Sequence, residues 1–192
     1  MRFRAGFRPN PNTLGAAGFP GGHDFRGNPL AFEFLCPDFQ ETRLKAEMFQ
    51  SEWQNELSVR VNVTVQEFKT FLKNLYSLNY SGVTDSMDWG YYRDPVWFLS
   101  EFTSDASANI AGWSDPQYDS MLAQATATLD PTVRMERLAE CERRLLRGMP
   151  FLPVYHDVWA YPQKPYVRGI SPNVMDVHPL KYAWIDTQWR PA

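Results

Sequence analysis

The sequence is poor in the residue types that build reactive centres. Only three histidines occur, His23, His156 and His178, none within helical reach of another histidine or of a cysteine, so the spacing of a zinc site is missing. The two cysteines, Cys36 and Cys141, form no C-x-x-C pair, which excludes a redox motif or metal cluster made from cysteine alone. There is no G-x-S-x-G elbow, no G-x-x-x-x-G-K loop and no G-x-G-x-x-G turn. Nucleophilic hydrolysis, nucleotide binding and dinucleotide binding therefore lack their usual signatures. No apolar run approaches the ~20 residues of a membrane-spanning helix. The first residues are broken by proline, glycine, asparagine and arginine and hold no apolar stretch of the ~7–15 residues found in a signal peptide; translated as written, the chain is expected in the cytoplasm. Nineteen basic and 22 acidic residues are interleaved to a net charge of -3. Without a basic stripe to neutralise phosphates, nucleic acid is not an expected partner.

What the chain does have is aromatic side chains and clear periodicity. Its 192 residues are 44% hydrophobic and 15% aromatic, with seven tryptophans and nine tyrosines. That suits either an aromatic core or a pocket for amphipathic ligands. Residues 1–28 read as irregular, because Pro9, Pro11 and Pro20 alternate with Gly15, Gly18, Gly21, Gly22 and Gly27. Leu30, Phe32 and Phe34 alternate with Ala31 and Glu33 and predict a strand over residues 30–35. Asp38 and Glu41 then suggest a helix cap, and Ala46, Phe49, Trp53 and Leu57 form a buried stripe. Val59, Val61, Val63 and Val65 alternate with polar residues, the clearest strand signal in the chain. Phe68, Phe71, Leu72 and Leu75 return to helical spacing. Strand, helix, strand, helix in this order predicts a parallel or mixed sheet with covering helices.

Further on, Ser114 with Gln117 reads as a capping box for a helix carrying Tyr118, Met121, Leu122 and Ala125. Asp130-Pro131 opens another helix, with Leu138, Cys141 and Leu145 buried and Gly148 closing it. Cys141 is read there as a small core residue, unbridged to Cys36. Residues 151–156 are expected to form an edge strand, since Pro153 lacks a donor. Asp85, Asp88 and Asp94 could pair for acid/base chemistry, but as loop residues they read better as a solvated loop.

Several segments in order resemble the family 5 extracellular solute-binding proteins, the oligopeptide and dipeptide receptors of ABC importers. Gly18-Phe19-Pro20-Gly21-Gly22 looks like the turn leading into the first strand. The block from Ala46 through Trp53, Leu57, Val59 and Val61 to Phe68-Lys69-Thr70-Phe71 is similar to the family's helix, strand and following helix. The most specific stretch is Trp89-Gly90-Tyr91-Tyr92-Arg93-Asp94-Pro95, followed by Phe98-Leu99, Asn109, Gly112-Trp113-Ser114 and Tyr118-Asp119. It resembles a ligand-lining loop followed by the family's N-x-x-G-W-S-x-P-x-Y-D segment. Met149-Pro150-Phe151-Leu152-Pro153 and Lys164-Pro165 look like the closing strands.

The resemblance covers only the later part of a two-lobed protein. It implies an α/β fold, a partial lobe of a type II periplasmic-binding-protein fold with a mixed sheet and covering helices: residues 1–28 irregular, 29–180 the partial second-lobe domain, 181–192 a tail. It further implies an oligopeptide-binding component of an ABC importer, periplasmic or at the cell surface, with a peptide or other small solute as ligand and a permease as partner. No cofactor, metal or catalytic residue is implied, so the chain is not expected to be an enzyme. The implied ligand residues are Asp88, Trp89, Gly90, Tyr91 and Tyr92. Tyr91 stands where many peptide-binding members carry the aspartate that meets the peptide's amino group, and Asp88 is the nearby carboxylate that could replace it. The alternative reading is a non-binding relic or an interaction lobe that needs a separately encoded amino-terminal lobe.

Overall fold

A computed structural model of the chain describes residues 20–24, 26–85, 92–155, 161–171, 173 and 176–190. The alternation of apolar and polar residues is realised as β1 (Ala31–Pro37), α1 (Gln40–Leu57), β2 (Arg60–Gln66), α2 (Phe68–Tyr76) and β3 (Gly82–Thr84). The three strands form one sheet in the order β2-β1-β3, parallel throughout. Paired residues share a face, so Phe34 opposite Val63 and Phe32 opposite Val61 present one apolar surface to α1. Phe34, Phe49 and Trp53 meet there with ring centroids 5.1–6.3 Å apart, close enough for favourable offset and edge contacts. Leu35 lies on the opposite face and packs against Phe71 and Leu75 of α2. Both faces of the sheet are thus covered, which is how a parallel sheet buries near-continuous apolar strands. β1, not the valine-rich β2, is the central strand, and Val65 at the far end of β2 is 39% exposed.

A second core is wholly helical. α3 (Val96–Ser100), α4 (Pro116–Thr126) and α5 (Pro131–Gly148) enclose Leu99, Tyr118, Leu122, Ala125, Leu138, Cys141 and Leu145. Tyr118 is fully buried, and its hydroxyl donates to the Leu99 carbonyl at 2.6 Å. Cys36 and Cys141 are free, buried and in different cores, as their sequence positions suggested.

The helix ends correct several sequence expectations. α1 starts after Phe39, which offers no side-chain cap; Asp38 is drawn instead into an ion pair with Arg43. α4 is capped by Asp115, whose carboxylate accepts from the Gln117 and Tyr118 amides, while the Ser114 hydroxyl is turned to Ser104. A carboxylate is the better acceptor there because it also meets Arg144. α5 ends one residue later than expected, with Met149 rather than Gly148 in the left-handed conformation (φ 50°). Gly148 has a different reason: a Cβ there would lie 2.9 Å from the Trp113 ring. Residues 151–155 form no strand; Phe151 stacks on Phe102 at 4.9 Å instead, and His156 lies outside the described residues. The only other strands among the described residues are the short antiparallel pair β4 (Val167–Arg168) and β5 (Trp184–Ile185). None of the described residues from 161 to 190 is buried.

Candidate functional site

The topology marks one end of the sheet. The chain leaves β1 through α1 to reach β2 on one side, then crosses through α2 to β3 on the other. At such a reversal the connections depart in opposite directions, and open α/β sheets bind ligands outside the carboxyl ends of the two strands that flank it. Those ends are Pro37 for β1 and Thr84 for β3.

Two charged side chains meet at that end of the sheet. Lys45, one turn into α1, donates to the Asp85 carboxylate, the first residue after β3, at 2.8 Å, and both side chains are 18% exposed. Burial works against the Lys45 ammonium, but its hydrogen bond to Asp85 and that residue's charge, with smaller contributions from Tyr155 and Glu41, together hold its pKa above the ordinary lysine value. Lys45 is therefore a fixed cation. Cys36, fully buried at the end of β1, has its thiol pushed up by burial and then by the Asp85 charge. It is not activated as a nucleophile.

Of the residues the sequence assigned to ligand, Asp88, Trp89, Gly90 and Tyr91 lie outside the described residues. The described neighbours mark where that segment leaves and returns. It leaves at Asp85. It returns at Tyr92, which is 46% exposed and sits edge-on to Trp97 with centroids 5.2 Å apart and an interplanar angle of 83°. Asp94 accepts from the Val96 amide at 3.0 Å and from Arg134 of α5 at 2.9 Å. The Arg134 hydrogen bond foremost, then that of Val96, lowers the Asp94 pKa. Asp85 and Asp94 are thus each engaged by a different cation and do not form a carboxylate pair. Among the described residues no cluster of three or more His, Cys, Asp or Glu side chains could hold a metal.

Sequence reasoning missed Lys45. The signal was available: Lys45 lies four residues before Phe49 and eight before Trp53, so it continues the buried row of α1 with a charge. A lysine on an apolar row needs a partner, and Asp85 is that partner.

No protein-family model matches the chain. Its relatives are solute-binding proteins. It is 33% identical over 146 residues to the periplasmic oligopeptide-binding protein OppA of Salmonella typhimurium, an alignment covering 74% of this chain and 26% of that protein. It is 30% identical over 156 residues to the probable deoxycholate-binding periplasmic protein YgiS of Escherichia coli, covering 81% of this chain and 28% of that one. Its fold superimposes with a TM-score of 0.77 on Haemophilus influenzae OppA in complex with the peptide RPPGFSPFR, at 26% identity, over 92% of this chain and 34% of that chain. The structure is therefore part of a periplasmic-binding-protein fold. Within that class, the chain belongs to the family 5 extracellular solute-binding proteins, and it spans about a quarter of the length of these curated relatives.

Proposed function

We propose that the chain is part of the solute-binding component of an ABC importer, with a short peptide as the ligand, held at the carboxyl end of the parallel sheet. The observation that carries this reading is the superposition on a peptide-bound OppA across nearly the whole chain. The switch point between β1 and β3 supports it, because the segment holding Asp88, Trp89, Gly90 and Tyr91 follows directly on Asp85 in sequence and ends at the exposed Tyr92. In this reading those five residues, Tyr92 included, form one wall of the ligand cleft. An extended peptide would be held mainly through its backbone, which gives affinity with little sequence preference. Delivery to a permease outside the cytoplasmic membrane follows from the same reading, as does the lack of any catalytic role.

Tyr91 changes the chemistry of the amino-terminal anchor. A phenol hydroxyl makes a neutral hydrogen bond where a carboxylate would make a charge-assisted one of roughly twice the strength. One relative carries the description of a probable deoxycholate-binding protein, so an amphipathic acid is the second ligand to test. Titration calorimetry of the 192-residue chain against a mixed di- to pentapeptide library, and separately against deoxycholate, tests the reading. One wall buries only part of a ligand, so binding by this chain alone is expected to be weaker than about 1 μM, reduced by Trp89→Ala, and tightened by the amino-terminal lobe of a relative supplied in trans. Tight peptide binding that ignores Trp89→Ala would overturn the placement of the ligand. Binding of deoxycholate but no peptide would replace the ligand class.

A further inference from the structure

Among the described residues β2 is an outer strand of the sheet, and one group on its outward edge is covered by a side chain. In a parallel ladder alternate residues address the neighbouring strand with both their amide and their carbonyl, and the residues between them face away. Arg60 donates its amide to the Leu30 carbonyl at 2.7 Å, and the Gln66 carbonyl accepts from the Asp38 amide at 2.8 Å. With the register Arg60 opposite Ala31 and Gln66 opposite Pro37, the even-numbered residues of β2 face β1. The backbone groups of Val61, Val63 and Val65 therefore face outward, and no strand among the described residues pairs with them.

The edge is well suited to unwanted pairing. Val61-Asn62-Val63-Thr64-Val65 carries no charge and four β-branched residues, the composition of segments that recruit another strand. Laid antiparallel against a second copy, it is close to self-complementary about Val63. One outward group is covered: the Gln50 side-chain amide, reaching over from α1, donates to the Val61 carbonyl at 2.6 Å. A strand arriving in any register that needs this carbonyl meets an acceptor already engaged and a side chain in its path.

We infer that Gln50 is a guard that keeps β2 from adding a strand of a second copy of this chain. The inference does not depend on the ligand. Its test is self-association of the full chain, measured by size-exclusion chromatography with light scattering over a range of concentrations. Gln50→Ala is expected to tighten self-association about tenfold, the effect of uncovering one backbone acceptor. Gln50→Lys keeps a donor in reach and adds a charge, and is expected to behave as the unsubstituted chain. Val65→Pro removes an outward amide hydrogen without breaking a bond to β1, and is expected to cancel the effect of Gln50→Ala. Gln50→Ala that folds and associates no more than the unsubstituted chain would overturn the inference. So would association that Val65→Pro leaves unchanged, because it would then run through another surface.

Discussion

At the scale of single residues, the helical core is held by polar groups that each satisfy more than one partner. Asp115 caps α4 through the Gln117 and Tyr118 amides and receives a bidentate pair from Arg144 of α5 at 2.7 and 2.9 Å. The Arg144 hydrogen bond is the main reason its carboxyl stays below the usual aspartate range. A carboxylate with a lowered folded pKa contributes stability that is complete above its unfolded value of about 3.9 and lost as pH falls through the folded one. The stability gap between the unsubstituted chain and Asp115→Asn should therefore be widest near neutral pH and close below about pH 4. Denaturant midpoints measured across that range check it, and a gap independent of pH would count against the Asp115–Arg144 pair. Tyr118 gives a second test. Its hydroxyl donates to the Leu99 carbonyl, which also accepts from the Phe102 amide. Tyr118→Phe leaves no acceptor stranded and should cost only about 1 kcal/mol by urea unfolding.

At the scale of elements, what the sequence revealed and what it hid divide along physical lines. β2 and the stripes of α1, α2, α4 and α5 were legible because burial on one face imposes a period, and period survives in sequence. Helix caps were legible only in part. Ser114 and Asp115 are adjacent and both able to cap; Arg144, 29 residues away, decides between them. Of the strand expected over residues 151–156, the described residues 151–155 form none: Pro153 withholds a donor and Phe151 stacks on Phe102. Met149 was missed because a left-handed methionine has no sequence signature. It is 53% exposed with φ 50°, a conformation that glycine adopts without the Cβ penalty. Met149→Gly is therefore expected to stabilise the chain by up to about 1 kcal/mol, seen as a raised Tm. A lowered Tm would mean that the methionine side chain contributes packing that outweighs its backbone strain.

At the scale of the whole molecule, the proposed placement of a ligand at the carboxyl end of the sheet rests on strand order, which no local pattern contains. Lys45 and Asp85 are 40 residues apart in sequence and meet because β1 and β3 are neighbours with their carboxyl ends on the same side. The candidate loop rests on a different footing, as a run of aromatic, glycine and acidic residues resembling that of the peptide receptors. Strand order and loop composition are independent, and the proposal of a ligand beyond Pro37 and Thr84 rests on their convergence. Hydrogen exchange read by mass spectrometry, with and without a saturating mixed tri- to pentapeptide library, tests that convergence most directly. Slowed exchange is expected in peptides spanning residues 37–45 and 84–94, with the β4–β5 pair and the outer edge of β2 unchanged. Protection confined to those other surfaces, or no protection at ligand concentrations where calorimetry detects binding, would contradict it.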